Sequence, residues 1–556
     1  MLKRTALLPL VLLGAGLALA QPAAATDYCV DVPMTCDAAN NLGDFQTALG
    51  KADDSANADR IFLGATTYAA PNAAGFNYQG GPVEVIGKGQ GKTIVAGSYP
   101  SSQTVLQLMG GADSSIHDLT VHTPPLATVG HEALVTDGVA RRIRVEDDPG
   151  QIGSHVGVVL KNGGVLKDAI VQLGTGTETT GVVFDTGGGT VRDSIVIGRG
   201  AVDSRSGGTL ERVRAWGWAG GVIAEANVTT IRSSLIRATS PFASGISVVP
   251  RPGFGADVHL DGVLVDGPGD PGTAGVFASN FLAADHSVNV TIKNSIIRHF
   301  DKALNFLGNG NYSVVHATAS YSDYDTSKAH YSGYGAGITQ TGITNVGDAG
   351  FADPAIGDYH LLPGSPLIDA GDPATAQGLD LDKKALVADG NADGKARRDV
   401  GPFELPGPPT PTPPAPPPAG GGDPPTGTGG GTTPAGSTGP TTGGADTQPP
   451  LITGFRTTRK VFAVGRARTA VAARVRGTRF RYTLSEDAKV TVRILRRNGR
   501  RAGKLVRTGK KGANKVTFSG RIGRRALKRG RYRAVIVATD AAGNRSAPRR
   551  VKFRVV

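Results

Sequence analysis

The sequence has few cysteines and few aromatic residues: two cysteines and two tryptophans occur among 556 residues, and Phe, Tyr and Trp together make up 6%. Two thiols are too few for a cysteine-rich metal centre or a disulfide scaffold, so at most one bridge forms. Beyond the first 25 residues, no stretch is apolar enough to cross a bilayer. The central third shows no helical periodicity. These absences exclude a helical bundle, a disulfide-stapled scaffold and a multi-span membrane protein.

The N-terminal 25 residues predict a secretory signal peptide, in which Lys3 and Arg4 precede an apolar run that ends at Ala20, before small residues up to Ala25. A membrane anchor is the alternative, although the apolar run is short for a span of about 20 residues. Cys29 and Cys36 lie beyond the cleavage point, and we expect one structural disulfide between them. The prediction is a secreted protein, extracellular or associated with the cell surface.

One short phrase recurs through the central third of the chain. Each copy is a pair of apolar-polar segments with a polar kink between them, and a second phrase, a small residue followed by an apolar triplet, comes before most copies. The first phrase reads SIHDLTVHT from Ser115, VLKDAIVQLG from Val165, TVRDSIVIGRG from Thr190 and VTIKNSIIRHF from Val290. Three short strands in each period of about 20 to 30 residues predict a parallel β-solenoid, whose stacked coils share one core.

Composition divides the rest of the chain into further regions. Residues 26–82 carry Leu42, Phe45 and Leu49 at helical spacing, which predicts a helical cap over the open end of the solenoid. We assign residues 83–404 to the solenoid and its closing segment. Residues 405–450 are rich in Pro, Thr and Gly, and we expect a disordered linker. Residues 451–556 alternate apolar and basic residues, which predicts a β-sandwich.

Three resemblances add to this division. The repeats from Val83 to about Val346 resemble the right-handed parallel β-helix superfamily of pectate lyases and polygalacturonases. The segments Gly357–Gly371 and Asp399–Glu404, with SPLIDAG and DVGPFE, resemble the end of secreted bacterial proteins of the choice-of-anchor Q type. The C-terminal region resembles bacterial Ig-like or fibronectin-III-like modules. Together they imply an all-β extracellular protein and specify no reaction.

Catalytic residues on this fold would be carboxylates gathered on neighbouring coils. The Gly-His-Gly motif of polygalacturonases is absent. Alignment of the small-apolar phrases places Lys161, Asp185, Asp203 or Ser204, and Glu225 in one column, where Asp185, Asp203 and Glu225 are candidates for acid-base chemistry. The alternative is a set of solvated residues at strand ends. A register error of one residue would turn each side chain to the other face.

The two tryptophans, Trp216 and Trp218, lie two residues apart in one repeat and therefore share a face of a strand. If they face outward, they can stack on sugar rings, with Glu146, Arg237 and Asp266 near enough to bind hydroxyl groups. If they face inward, they fill the core. The histidines, His155 and His299 among them, show no metal-ligand spacing, and we expect solvated or capping roles for them.

Residues Asp389, Asn391 and Asp393, followed by Gly394, have the spacing of oxygen ligands in a Ca²⁺ loop. The twelfth position is Val400 rather than Glu, so Asp399 or Glu404 would have to complete the ligand shell. A polar turn without metal is the alternative interpretation.

The charge is divided unevenly along the chain. Residues 451–556 contain 32 Lys and Arg residues and three acidic ones, a net charge of +29, whereas the remainder has a net charge of −15. A field of this strength attracts polyanions such as anionic cell-envelope polymers, and extracellular nucleic acid is the less favoured partner. The outward candidates are Arg496, Arg497, Arg500, Arg501, Arg524, Arg525, Lys528 and Arg529.

Two functions remain open from the sequence. In the favoured one, the protein is a non-enzymatic surface protein whose basic module attaches to anionic polymers and whose solenoid binds extracellular polysaccharide. In the other, the solenoid is a polysaccharide lyase or glycoside hydrolase that acts on acidic polysaccharide. The absence of the polygalacturonase motif favours the first.

Overall fold

The structure, a computed structural model, shows two compact units of all-β architecture. The first unit contains the described residues up to 351 and residues 360–407, and the second contains residues 352–359 and the described residues from 450 onwards. Most of the predicted signal peptide and linker lies outside the described residues. The structure describes residues 25–32, 36–53, 58–98, 104–123, 131–147, 154–174, 178–280, 286–308, 315–333, 336–354, 357–375, 377–407, 450, 452–462, 477–496, 501–522, 525–539, 546 and 549–556.

Two long parallel sheets form the solenoid, which confirms the predicted all-β parallel β-helix. Sheet A has 14 strands. In stacking order they are Asn41–Leu42, Asp27–Val30, Asp59–Leu63, Val83–Ile86, Ser115–His117, Val139–Arg141, Gly164–Lys167, Gly189–Arg192, Gly208–Glu211, Asn227–Arg232, Ala256–Asp261, Val288–Lys293, Val315–Ser320 and Gly337–Thr341.

Sheet B has 20 strands, which form two rows joined by a bend. The first row comprises Thr67–Ala69, Ile94–Ala96, Thr120–His122, Arg144–Glu146, Ile170–Gln172, Leu235–Ala238, Leu264–Asp266, Ile296–Arg298 and Asp323–Tyr324. The second row comprises Phe76–Tyr78, Thr104–Leu108, His131–Thr136, Ser154–Leu160, Glu178–Phe184, Ser244–Val248, Ala274–Ser279, Lys302–Leu307 and Ala329–Ser332. Two long strands, Ile195–Ser204 and Arg214–Ala224, continue through both rows.

Most coils therefore contribute one strand to sheet A and two to sheet B, as the repeats predict. The polar kink between sheet A and the first row of sheet B is a residue in the left-handed backbone conformation, which Asp and Asn adopt more readily than most residues. The kink residues of successive coils are Asp118, Arg142, Asp168, Asp193, Arg212, Ser233, Gly262, Asn294 and Tyr321. The serine that often follows points inward: the Oγ of Ser234 accepts the Val213 amide of the preceding coil and donates to the Arg232 carbonyl of its own.

The small residue before each apolar triplet lies at the bend between the two rows of sheet B. A Cβ atom at Gly245 would lie 2.2 Å from Cγ1 of Val265, and one at Gly275 would lie 2.2 Å from Cγ2 of Ile297. Both contacts are far shorter than carbon atoms tolerate. The glycine is therefore required because an inward apolar side chain from the first row fills the space at the bend.

The N-terminal region contains the predicted helix, Phe45–Ala52, and a short 3₁₀ helix, Ala38–Asn40. The Asp44 side chain accepts the Thr47 amide and caps the helix. Phe45 and Leu49 are buried in the solenoid core. Cys29 and Cys36 form the expected disulfide. Parallel pairing already joins Asp27–Val30 to Asp59–Leu63, so the ladder starts earlier than the predicted boundary at Val83.

Residues 360–407, which we call the corner segment, lie along the kink between sheets A and B instead of only ending the solenoid. Lys383 Nζ lies 3.2 Å from Asp168 Oδ1, and Arg214 Nη2 lies 2.9 Å from Asp382 Oδ1. Further along the same corner, Asn294 Oδ1 accepts the Asp372 amide. The segment thus follows several successive coils. Other short elements are the 3₁₀ helix Thr326–Lys328 and the paired strands Phe351–Asp353 and Asp358–Leu361.

The C-terminal part of the chain forms two sheets around one apolar core. The three-stranded sheet comprises Ile452–Thr457, Thr478–Leu484 and Gly512–Phe518. The five-stranded sheet comprises Val461–Phe462, Arg549–Val555, Gly530–Thr539, Ala488–Arg496 and Arg501–Gly509. The short strands Arg521–Ile522 and Arg525–Ala526 pair antiparallel. The predicted alternation is observed, since Val490, Val492 and Ile494 are buried. No helix in the described part of the chain is long and apolar enough to span a membrane.

Candidate functional site

The two tryptophans lie on the outside of sheet B, which decides between the two interpretations of their position. Ala215 and Gly217 are buried on either side of the half-buried Trp216, and Trp218 is 43% exposed. The guanidinium of Arg199, from the preceding coil, lies 5.5 Å from the centre of the Trp218 ring. Trp218 therefore presents an indole ring at the surface, with a cation on one side.

A third aromatic residue, which the sequence did not single out, continues this surface. Phe242 lies in the next coil at the same bend and is 80% exposed, with a positive φ of 68°. A Cβ atom at Gly272, one coil further, would lie 2.9 Å from the Phe242 ring, so glycine leaves room for it. An exposed aromatic side chain on a strained backbone is typical of functional surfaces. We call Trp216, Trp218 and Phe242 the aromatic strip.

A row of polar side chains runs beside the aromatic strip on the first row of sheet B. The register stacks Trp216 on Arg237, Arg237 on Asp266, and Asp266 on Arg298. On the other side of Trp216 the same column continues through Ile197, Gln172 and Glu146. The polar row, which we define as Glu146, Gln172, Arg237, Asp266 and Arg298, contains every residue that was predicted to surround the tryptophans.

Asp266 organises the centre of the polar row. Its side chain is almost fully buried; Oδ2 lies 3.2 Å from Arg237 Nε, and Oδ1 lies 2.7 Å from His299 Nδ1. His299 adopts a positive φ and remains half-exposed. A buried carboxylate thus orients an arginine and a histidine toward the surface, which the scattered histidines of the sequence did not reveal. The polar row offers both donors and acceptors to a ligand rich in hydroxyl groups.

The predicted column of carboxylates needs one correction. Strand pairing aligns Leu160, Phe184, Ser204 and Ala224, so the residues that follow them, Lys161, Asp185, Arg205 and Glu225, form the actual column. Asp203 instead pairs with Val183 and Ile223, one strand position before Ser204. Asp203 and Ser204 were misplaced because the loop between rows is shorter in that coil, where one strand passes through the bend.

The three candidate carboxylates each lie beside a cation. Asp185 lies 3.4 Å from Lys161, Asp203 accepts a 2.8 Å hydrogen bond from Arg205, and Glu225 pairs with Arg251. Burial raises the pKa of Glu225, and the negative charge of Asp203 raises it further. Of the three candidates, Glu225 is thus the one whose surroundings favour the protonated form.

The predicted Ca²⁺ loop folds onto its own backbone. Asp389 accepts hydrogen bonds from the amides of Asp393 and Gly394, and Asn391 also accepts from the Asp393 amide. Asp393 in turn accepts from the Lys395 amide. These side-chain oxygens act as hydrogen-bond acceptors within the turn.

A buried acidic cluster joins the two terminal motifs of the corner segment. Carboxylate oxygens of Asp369, Asp399 and Glu404 lie within 4.8 Å of one another. Each of the six oxygens accepts a backbone amide: Gly390 and Asn391 donate to Asp369, Asp369 and Leu405 to Asp399, and Ala388 and Asp399 to Glu404. The donor set thus fits a turn-stabilising role better than a Ca²⁺ shell, which needs six to eight oxygens free to bind the ion.

Burial and mutual repulsion keep protons in this cluster. Burial raises the pKa of Glu404 to about 9, and the charge of Asp399 adds to the effect. Burial likewise raises the pKa of Asp399 to about 6. The cluster therefore carries less than its full negative charge at neutral pH, which reduces the repulsion among the three carboxylates.

Only part of the predicted polyanion-binding set can be placed. Arg496, Lys528 and Arg529 are exposed. Arg497, Arg500 and Arg524 lie outside the described residues, and for Arg501 and Arg525 only the backbone is described, in strands Arg501–Gly509 and Arg525–Ala526.

Comparison with known proteins adds one structural likeness. The chain is similar to the catalytic unit of the thermostable GH87 alpha-1,3-glucanase from Streptomyces thermodiastaticus strain HF3-3, with 12% identity, 59% of this chain and 70% of that chain covered, and a TM-score of 0.37. A likeness of this size transfers neither a site nor a substrate. No family model and no curated protein matches the sequence, so the choice-of-anchor Q and Ig-like assignments remain predictions.

Proposed function

We propose that this is a secreted or cell-surface protein whose solenoid binds extracellular polysaccharide and whose basic module attaches to anionic envelope polymers. The observation that supports glycan binding is the aromatic strip, where Trp218 and Phe242 expose rings on successive coils beside the polar row. Sugar rings have apolar faces that stack on aromatic side chains and hydroxyl edges that bind charged and amide groups.

The dimensions of the strip suit a linear glycan. Arg199, Trp218, Phe242 and Gly272 occupy the same bend in four successive coils, which lie about 4.8 Å apart. The bend therefore extends for roughly 14 Å, enough for two or three consecutive sugar residues. A polymer that lies along the solenoid axis would contact the strip and the polar row together.

Intrinsic fluorescence tests this proposal, because the chain has only two tryptophans and both belong to the strip. A panel of neutral and acidic soluble polysaccharides is titrated into the full chain. We expect at least one to shift or quench the emission, and the double variant Trp218→Ala, Phe242→Ala to weaken its binding about ten-fold or more, as measured by calorimetry.

The matched control is Phe254→Ala, because Phe254 is also well exposed but lies away from the strip. Its affinity should equal that of the unmodified chain. Equal weakening by both changes, or a panel in which no polysaccharide binds, would contradict the proposal.

The same incubations address the alternative function. Glycoside hydrolysis or lyase chemistry is favoured only by the raised pKa of Glu225 and its neighbour Asp203 on the adjacent coil. New reducing ends, or the absorbance of an unsaturated uronide, that disappear in Glu225→Gln would make the solenoid an enzyme. Binding without product would support the non-enzymatic function.

A further inference from the structure

The outer face of the five-stranded sheet carries cations that stand directly opposite one another. Pairing of strands Gly530–Thr539 and Arg549–Val555 places Arg531 opposite Arg554 and Arg533 opposite Lys552. All four side chains are exposed. Opposite residues of an antiparallel pair have Cβ atoms about 5 Å apart, and like charges at this distance destabilise a sheet. The four cations of this face therefore repel one another, and a bound anion would reduce that repulsion.

These four cations border a groove of about 470 Å³, to which Lys460 and Arg496 also contribute. The groove crosses Tyr532 and Phe553, whose rings stack 5.6 Å apart and are buried. The lining contains no carboxylate, and within the described residues none of the six cations forms an ion pair. We call Lys460, Arg496, Arg531, Arg533, Lys552 and Arg554 the cationic groove.

We propose that the cationic groove binds a phosphodiester polymer of the cell envelope. This inference rests on the proposed attachment to anionic polymers and specifies the site and the anion. A phosphodiester shares one negative charge between two non-bridging oxygens, so one group can accept hydrogen bonds from both cations of an opposed pair. Three of the four opposed cations are Arg, whose guanidinium fork suits recognition of phosphate.

The spacing of the cations along the strands also suits a polymer with regularly repeated phosphates. Arg531 and Arg533 are two residues apart on the same face, a separation of about 7 Å along the strand. A flexible chain with one phosphate in each repeat can therefore place successive phosphates on successive pairs. Counterion release would make its binding strongly dependent on salt.

The groove fits such a polymer better than a single-stranded nucleic acid. Proteins that bind single strands stack bases on exposed aromatic side chains. Tyr532 and Phe553 are buried, and the exposed large apolar residues in the described part of this unit are Val461 and Val556. The site can pair with phosphates but offers no ring on which a base could stack.

Binding of the full chain to poly(glycerol phosphate) tests the proposal. The variant R531Q, R533Q, K552Q, R554Q should bind at least about ten-fold more weakly at 0.1 M salt, and the slope of log K against log salt should fall by about 3, because four cations are lost. The matched control, R479Q, K489Q, R507Q, K511Q, removes the same charge from exposed positions outside the groove, where Arg479, Lys489 and Arg507 face uncharged residues across the strand pairs. It should bind within about three-fold of the unmodified chain.

Polygalacturonate and oligodeoxythymidylate serve as competing probes. Both should bind more weakly than poly(glycerol phosphate), and thermal unfolding of each variant verifies that the module is folded. Equal losses in the two variants, or equal affinity for polygalacturonate, would overturn the cationic groove while leaving polyanion attachment intact. Tighter binding of the oligonucleotide would identify a nucleic acid as the partner instead. If the unmodified chain binds none of the three, both the groove and the proposed attachment are wrong; glycan binding by the aromatic strip is measured separately.

Discussion

Charged side chains are arranged in opposite ways in the solenoid and in the C-terminal sandwich. In the solenoid, cations of one coil meet carboxylates of the next, as Arg142 meets Asp118, Arg212 meets Asp193 and Arg298 meets Asp323. In the described part of the sandwich, the ion pair is Lys510 with Asp487, and elsewhere cations face cations. Parallel stacking brings equivalent positions of each repeat together, so complementary charges can alternate from coil to coil. Residues 451–556, with 32 basic and three acidic residues, have far too few carboxylates for such alternation.

The two units therefore present different chemistry at their surfaces. The solenoid satisfies its charges internally and leaves aromatic rings exposed, which favours a ligand with apolar faces and hydroxyl groups. In the described part of the sandwich, Tyr532 and Phe553 are buried and exposed cations face one another across the strands, an arrangement that a polyanion would neutralise. Because the two units rely on different forces, a change that affects one should leave the other intact.

The largest expected effect comes from overpacking the bend of sheet B. Gly245→Val would place atoms within 2.2 Å of Val265, and we expect a loss of about 3 kcal/mol or more from the solenoid. Calorimetry should show the solenoid transition displaced or lost and the sandwich transition unchanged. Gly200→Val is the control, since the nearest atom to its Cβ lies 3.9 Å away. A common shift of both transitions would show that the units unfold together.

A smaller effect should appear in the pH dependence of the stability of the solenoid, which the sandwich should not share. Glu404 has a pKa raised to about 9 by burial, from a value of 4.5. The folded chain keeps this proton up to about pH 9, whereas the unfolded chain loses it near pH 4.5, so unfolding releases a proton between these values. Stability of the solenoid should therefore fall as pH rises, by up to about 1.4 kcal/mol per pH unit.

Glu404→Gln removes this proton release, because glutamine does not ionise. Between pH 6 and 9 the melting temperature of the solenoid should then vary less than in the unmodified chain, while the exposed Glu178→Gln should leave the original slope in place. An unchanged slope in Glu404→Gln would show that the acidic cluster does not hold the proton.

The smallest expected effect is a difference between the two units in how their melting temperatures depend on salt. Screening of the opposed cations Arg531 with Arg554 and Arg533 with Lys552 should raise the melting temperature of the sandwich by a few degrees between about 0.05 and 0.5 M salt. The exposed ion pairs of the solenoid contribute little, so its transition should move less. A sandwich transition that is insensitive to salt would indicate that its cations are already neutralised.

Periodicity predicted the fold because a parallel solenoid repeats its physical requirements in every coil. Small residues at the bend, polar kinks and apolar triplets recur at matching positions, so the three strands of each coil could be read directly. The Cys29–Cys36 bridge and the helix at Phe45–Ala52 were predicted for equally local reasons. The register at Asp203 was not, because one strand passes through the bend there and shortens the repeat.

The candidate sites needed the structure for different reasons. Trp216 and Trp218 could be singled out from the sequence because tryptophan is rare in it. Phe is not rare, so only the exposed position of Phe242 at the same bend makes it part of the strip. Asp369 lies 30 or more positions before Asp399 and Glu404 in the sequence. No rule of residue spacing predicts that the chain brings these three carboxylates together.

By itself, the sequence determined the solenoid, its three strands per coil, and the separation of an acidic from a basic region, because these depend on composition and on spacing between neighbours in the chain. Only the tertiary structure decided which outward side chains share a surface. Neighbours across coils or across antiparallel strands are set by loop lengths and pairing register, and a change of one residue in either moves a side chain from one column to the next.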